Sequence, residues 1–371
     1  MESSGVKWVR LGDYIEQCDE RNTAGSNYPV IGINRDKTFM PTVANLDGVD
    51  IAKYKIVSKG MFVFSGMQTG RDICIRIGLY DKDQPALISP AYTTFFINKE
   101  NDVLPEYFFM YFNRDESDRY GWFISDSSVR ANLDWPRFLD IEIPLPSVAE
   151  QQKVVNAWRA FREIKVQNEA KAAPLMQLCQ SYIQELKHKY PMQEIGPYIH
   201  RIDERNTDNK IKEVRSVSVT KNFNVTNAKV DKNNLSNYKI VRENQISFVQ
   251  TTGNEKCLCA AINHLGFPIV VTSVNEVFET DEKYLLADYL HLIFRRTETD
   301  RYARFNSWGS ARETFTWEDM TRFAIPLPSI EVQQAIVNIY KCANEAKRIA
   351  EEADRLSREV CPALLQHVIH S

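Results

Sequence analysis

Two stretches of the chain carry apolar side chains in 4-3 spacing, the seam of a coiled coil rather than a diffuse helical face. The first seam runs Val154, Trp158, Phe161, Lys165, Asn168, Ala172, Leu175, Cys179, Tyr182 and Leu186. The second runs Ile336, Ile339, Ala343, Ala346, Ala350, Ala353, Ser357, Val360, Leu364 and His367, and its small residues would admit the large side chains of the first. Each predicts a helix of about 40 residues, about 60 Å long at 1.5 Å per residue. Pro174 and Pro362 fall inside them and predict a kink or break in each. Matched heptads favour an antiparallel pair over two unrelated amphipathic helices, each packed on its own domain.

Outside the seams the pattern is shorter and mixed. Runs such as "GMFVF" from Gly60 and "NQISFVQ" from Asn244 read as strands between turn signals, and the stretch from Pro105 to Tyr120 reads as helix. These are α+β modules of roughly 140 residues, an ordinary domain size.

The modules are copies. "IPLPSVAEQQKVV" from Ile143 returns as "IPLPSIEVQQAIV" from Ile325, 182 positions later. At that offset "LPEYFFMYFNRDESDRY" from Leu104 falls on "LADYLHLIFRRTETDRY" from Leu286, and "SSVRANLDWPRF" falls on "GSARETFTWEDM". Upstream the offset becomes 184, where "DERNT" at Asp19 returns at Asp203 and "YKIV" at Tyr54 returns at Tyr238. An old duplication with one small indel accounts for both offsets. The chain then divides into a module over 1–146, a helix over 147–190, a module over 191–328 and a helix over 329–371. Pro144 and Pro146 forbid helix before them. Ser147 is placed as an N-cap with Glu150 completing a capping box; the second copy keeps Ser329 but has Val332 at the box position.

Composition narrows the class. The 371 residues are 43% hydrophobic and 26% charged, which fits two globular domains. No apolar run of about 18 residues predicts a membrane span, and the N-terminus lacks a signal-peptide layout, so a cytoplasmic chain is expected. Seven scattered cysteines predict inert thiols in a reducing compartment; Cys257 and Cys259 alone lack the second ligand pair of a zinc site. A net charge of −3 exerts no global pull on nucleic acid, so local patches or a basic partner must supply the attraction.

Catalytic signatures are missing. There is no GxxxxGK[ST], and "GMQTGRD" at Gly66 has the wrong spacing and no lysine. Neither GxGxxG, HExxH nor the tetrapeptide of amino-methyltransferases occurs, and Asp281, Glu282 and Lys283 read as a solvated charge run.

Two variable α+β modules, each closing on IPLPS-x-x-x-QQ and a long helix, closely resemble the specificity (S) subunits of type I restriction–modification systems. The two IPLPS copies, the "WVRLGD" start at Trp8 and the "GSAR" before the second copy carry the resemblance, which spans the whole chain; the opening motif is weak in the second copy, at "MQEIGPYIHRIDERN". The resemblance implies two target recognition domains, each reading half of a split sequence in double-stranded DNA. It implies antiparallel coiled-coil helices that space the domains and dock two methyltransferase (M) subunits, with translocating restriction (R) subunits joining. No cofactor belongs to this chain on that reading; S-adenosylmethionine and adenine methylation belong to the M subunits. The helix pair would act as a ruler, and half-sites about 34 Å apart, one DNA turn, would suit it.

Candidate DNA contacts are polar and lie on loops. After each YKIV strand come "FSGMQTGRD" and "FVQTTGNEK", hairpin loops that offer Ser65, Gln68, Thr69 and Arg71 in one copy and Gln250, Thr251, Thr252, Asn254 and Lys256 in the other. Gln68, Arg71, Gln250 and Asn254 are types that read adenine or guanine edges, and the alternative is an ordinary polar turn. "SDSSVRAN" and "SWGSARET" offer Ser127, Ser128, Arg130, Ser307, Ser310 and Arg312, which could grip phosphates or staple each domain to its helix. Arg21 and Arg205 are assigned first to structural ion pairs and second to phosphates. Trp135, Trp317, Tyr120 and Tyr302 are expected in the core. The helix-pair and partner interface is expected to use Val154, Trp158, Phe161, Leu175, Tyr182, Leu186, Ile336, Ile339, Val360 and Leu364. A stand-alone methyltransferase or nuclease chain and a duplicated scaffold without a DNA role are the competing readings.

Overall fold

The structure is a computed structural model describing residues 6–67, 69–126, 128, 131–226, 228–251, 257–308 and 313–370, with backbone only at 70, 71 and 370. It separates into two compact units, Met1–Gln167 with Ile349–Ser371, and Asn168–Arg348. This division differs from the four segments read above, because each unit holds a piece of both long helices.

Unit 1 contains β1 (Lys7–Arg10), β2 (Ile15–Cys18), β3 (Val30–Ile33), β4 (Phe39–Pro41), β5 (Lys55–Val57), β6 (Phe62–Ser65), α1 (Thr69–Asp72), β7 (Arg76–Leu79), β8 (Ala86–Ile88) and β9 (Thr93–Ile97). Then come α2 (Pro105–Phe112), α3 (Asp115–Ile124), α4 (Trp135–Leu139), β10 (Glu142–Leu145) and the start of α5 (Val148–Lys189). One sheet has the order β2-β9-β6-β7 and another β4-β3-β8-β5, while β10 pairs with β1 alone. The IPLP segment is therefore a strand, with Pro144 opposite Trp8 and Ile143 opposite Val9. A two-stranded ribbon tolerates proline because its outer edge needs no N–H.

Unit 2 repeats the plan with β11 (Met192–Glu194), β12 (Ile199–Ile202), β13 (Arg215–Val217), β14 (Phe223–Val225), β15 (Lys239–Val241), β16 (Ile246–Val249), β17 (Ala260–Ile262), β18 (Ile269–Val271) and β19 (Asn275–Thr280). It continues through α6 (Ala287–Phe294), α7 (Thr297–Phe305), α8 (Trp317–Thr321), β20 (Ala324–Pro326) and α9 (Ile330–His370). The sheet β12-β19-β16-β17 matches that of unit 1, and β20 pairs with β11. The opening motif that is weak in sequence is thus intact in structure: Gln193 opposes Ile325, and Gly196 lies against Thr321 as Gly12 lies against Leu139.

In each unit the long helices complete the core. Val154, Val155 and Trp158 of α5 share one cluster with Cys361, Leu365 and Val368 of α9. Ile336 and Val337 of α9 share the other with Cys179, Ile183 and Leu186 of α5. These are the same positions at the 182 offset, with the helices exchanged. Within unit 1 the pair is antiparallel, since Lys165 reaches Asp354 at 2.7 Å while Trp158, earlier in α5, lies with Cys361, later in α9.

Four expectations change. Both helices run through their prolines without the break that is one of the two outcomes expected there, since each proline removes only one internal hydrogen bond while the flanking turns persist. The second seam slips near its end: Cys361, Leu365 and Val368 are buried, whereas Val360 and Leu364 are half-buried and His367 is exposed. A 3.6-residue helix drifts against a 3.5-residue repeat, and this end packs on the globular core as well as on its partner helix. Tyr120 is exposed, unlike its half-buried counterpart Tyr302, which meets Phe315 edge-on and Phe323 at a tilt. Finally, the Glu150 N–H reaches Ser147 Oγ at 3.4 Å, but the Glu150 carboxylate pairs with Lys153 rather than closing a box.

Trp135 and Trp317 do line the cores, tilted against Phe95 and Phe278. Burial pushes the Cys179 thiol up to about 11 and Cys259 up to about 12, so neither supplies thiolate near neutrality. Among the described residues no helix is long and apolar enough to cross a membrane.

Candidate nucleic-acid interface

The two loop segments singled out in each copy converge. In unit 1 the Leu133 N–H donates to the Gly66 carbonyl at 3.0 Å, so the segment after α3 closes the base of the loop after β6. The approach is so close that a Cβ on Gly66 would lie 1.6 Å from the Leu133 oxygen. In unit 2 the Phe315 N–H donates to the Gln250 carbonyl at 2.8 Å, and Thr251 forms a bridge with Thr314. Gly66 and Gln250 correspond at the 184 offset and Leu133 and Phe315 at 182. In both copies, therefore, the feet of the two segments meet at equivalent residues.

A buried lysine holds the far end of each loop. Lys37 and Lys221 occupy left-handed turns with φ of 60° and 61°, at the tips of the β3–β4 and β13–β14 hairpins. Lys37 Nζ donates to the Phe112 carbonyl and to Asp118 Oδ1 (2.8 Å). Lys221 Nζ donates to the Phe294 carbonyl and to Asp300 Oδ1 (2.7 Å). Each aspartate also accepts a backbone N–H where the loop rejoins the sheet, from Ile75 at 2.8 Å and Leu258 at 3.0 Å. Burial pushes the Asp118 carboxyl up, and the adjacent ammonium and the Ile75 N–H oppose that shift. The repeated Asp-Arg-Tyr thus contains the loop anchor. Sequence reasoning missed the lysines, although Lys-x-Phe at 37 and 221 keeps the 184 offset.

At the loop foot the copies diverge. Glu276 is buried in unit 2 and accepts from Gln250 Nε2 at 2.6 Å, from Arg201 Nε at 2.9 Å and Nη2 at 2.6 Å, and from Lys239 Nζ at 3.2 Å. Its counterpart in the strand register of unit 1 is Thr93, a neutral residue: Glu276 stands opposite Phe248 as Thr93 stands opposite Phe64. A shared scaffold therefore carries different chemistry at the same place.

Of the proposed contacts, Ser65 and Thr69 are buried, and the Thr69 hydroxyl donates to the Gly66 carbonyl at 2.8 Å. They shape the loop from inside, a correction that follows from β6 being flanked by strands on both sides and from the loop turning back as α1. Arg71 lies in α1, and its side chain is outside the described atoms. Gln250 is half-buried and Thr251 exposed. Ser128 is exposed and its hydroxyl donates to Asp126 Oδ1 at 2.5 Å. Gln68, Ser127, Arg130, Thr252, Asn254, Lys256, Ser310 and Arg312 lie outside the described residues. Arg21 and Arg205 form the structural pairs expected of them, with Asp19 and Asp203 at 2.7 Å each. Of the seam residues, Val154, Trp158, Leu186 and Ile336 are buried, and Phe161, Leu175, Tyr182 and Ile339 are half-buried.

The fold is a duplicated α+β module joined to paired long helices, and the feet of its loops differ between copies. No family model and no curated protein matches the chain. Solved structures do. The S subunit of a type I restriction–modification system from M. genitalium aligns with a TM-score of 0.64 at 11% identity, over 99% of this chain and 97% of that one. An HsdS subunit from Thermoanaerobacter tengcongensis aligns over 99% and 97% at 15% identity with a TM-score of 0.40. A chain from a type I restriction–modification assembly aligns over 100% and 98% at 14% identity with a TM-score of 0.44. The chain has the fold of a type I S subunit, as its motifs led us to expect.

Proposed function

We propose that this chain is the DNA-recognition subunit of a type I restriction–modification complex. The observation that carries the reading is the pairing of a repeated frame with divergent loop feet: Lys37 and Lys221 clamp equivalent loops, while Thr93 and Glu276 give those loops different surroundings. A molecule that reads two different half-sites with one architecture needs that combination. The S-subunit fold agrees with it.

On this reading unit 1 and unit 2 each recognise one half of an asymmetric, bipartite duplex target. Gln250 is the described side chain best placed to read a base in unit 2, its Nε2 held by Glu276 and its Oε1 accepting no hydrogen bond from the described residues. The long helices dock two methyltransferase subunits, and restriction subunits join them. Catalysis and S-adenosylmethionine reside in those partners, and this chain selects the site. With a net charge of −3, tight binding draws on the methyltransferase subunits for phosphate contacts.

The test is to sequence the methylome of a host carrying this chain with its methyltransferase partner. A split, asymmetric methylated motif is expected, and Gln250→Ala should alter one half of it only. Methylation unaffected by deletion of this chain overturns the reading.

A further inference from the structure

The outer face of the helix that anchors each recognition loop carries a repeated arginine and phenylalanine that the reading above does not use. Arg119 and Phe123 on α3 correspond, at the 182 offset, to Arg301 and Phe305 on α7. In both helices the two residues are four apart and so lie side by side on one face. All four are exposed; Phe123 shows 78% of its surface and Phe305 85%. Neither arginine has a hydrogen bond or ion pair among the described residues. The adjacent Asp118 and Asp300 turn inward onto the buried lysines, Glu298 pairs with Lys187 and Arg296, and Asp115 and Glu116, one turn before Arg119, form no ion pair with it.

Leaving a phenylalanine in water has no folding rationale, and a duplication that has diverged widely keeps it at one register in both copies. The position explains why. Asp118, next to Arg119, binds the Ile75 N–H at the loop exit, and Gly121 backs onto Ile75 so closely that a Cβ there would lie 2.5 Å from the Ile75 side chain. In unit 2 Asp300 binds Leu258 in the same way, and Ala303 is buried. The pair therefore sits on the exposed face of the helix that anchors the loop exit in each unit. Because it is identical where the loops differ, it suits a ligand feature common to both half-sites. Unpaired guanidinium groups beside an aromatic ring match the phosphate and deoxyribose of any duplex.

We infer that Arg119–Phe123 and Arg301–Phe305 are sequence-independent grips on double-stranded DNA, the guanidinium on a phosphate and the ring against the adjoining sugar. The inference rests on the proposed DNA-reading role and adds residues that set affinity without setting specificity.

The test is fluorescence anisotropy with a random-sequence 40-base-pair duplex across a salt series, using the full chain alone and together with its methyltransferase partner. Arg119→Ala with Arg301→Ala should lower the slope of log affinity against log salt by roughly 2, about 0.9 per phosphate contact. Arg→Lys at both positions should restore the slope. Phe123→Ala with Phe305→Ala should weaken binding about tenfold with the slope unchanged, as expected for an apolar contact worth about 1.4 kcal/mol. Wild-type binding that these variants leave unaltered in affinity and slope overturns the inference and leaves the proposed function standing. If the wild type binds no duplex in either form, the DNA-reading role fails and the inference with it. Loss of methyltransferase association with duplex affinity intact assigns the face to a protein partner and likewise overturns it.

Discussion

The side-chain amide of Gln151 is fully buried and donates through Nε2 to the carbonyl of Pro146 at 3.0 Å. The same amide donates to the Asp102 carbonyl at 2.8 Å and accepts from the Leu104 N–H at 2.9 Å, so one side chain ties α5 to the entry of α2. Gln333 repeats all three bonds with Pro328, Tyr284 and Leu286. One residue pair away, the Tyr107 and Tyr289 hydroxyls donate to the Pro144 and Pro326 carbonyls at 2.9 Å each. The first glutamine of each QQ pair and the prolines thus form one joint. Gln151→Ala or Gln333→Ala leaves buried backbone groups without partners and should cost about 3 kcal/mol in its own unit. Urea denaturation followed by unit-specific probes checks this; a loss below about 0.5 kcal/mol contradicts the joint.

Lys37 and Asp118 form a buried ion pair that also fixes the loop exit at Ile75. Lys37→Met strands the Asp118 carboxylate, and the expected destabilisation is about 3–5 kcal/mol. Lys221→Met should act alike in unit 2. Hydrogen exchange at Ile75 and Leu258 reads the local effect, and each amide should lose protection only in its own variant.

His291 predicts an acid response confined to unit 2. It is buried on α6 with Nε2 3.0 Å from the Lys221 carbonyl oxygen, and burial, helped by the Arg295 charge, lowers its pKa to about 4. An unfolded histidine titrates near 6.5, so between about 6.5 and 4 the unfolded chain binds the extra proton. Stability is then full above about pH 6.5 and falls as pH drops toward 4, by about 3 kcal/mol from this group. The corresponding residue of unit 1 is Phe109. His291→Phe should flatten the pH dependence of unit 2 over that window; an unchanged profile contradicts the assignment.

The helices were legible because their seams are long and the prolines before them leave no alternative start. The IPLPS motif was legible as a repeat, but its work was not, since the Gln151 bonds join residues 47 and 49 positions apart. Ser65 and Thr69 misled because polar side chains on a turn normally face water, and here the turn folds back under Leu133. Lys37 and Lys221 were visible at the 184 offset, but a lone lysine in a polar turn signals burial only once Asp118 and Asp300 are seen to meet it. Packing across long separations, rather than local pattern, decided each of these.

The central claim is that the two units read different halves of one split target. Methylome sequencing of hosts carrying the wild-type chain, or a chain whose loop over 250–256 is replaced by that of unit 1 (66–72), tests it most directly, provided the methyltransferase partner is present. The account predicts a bipartite motif of which one half changes and the other persists. A continuous motif, or a swap that alters both halves together, would contradict it.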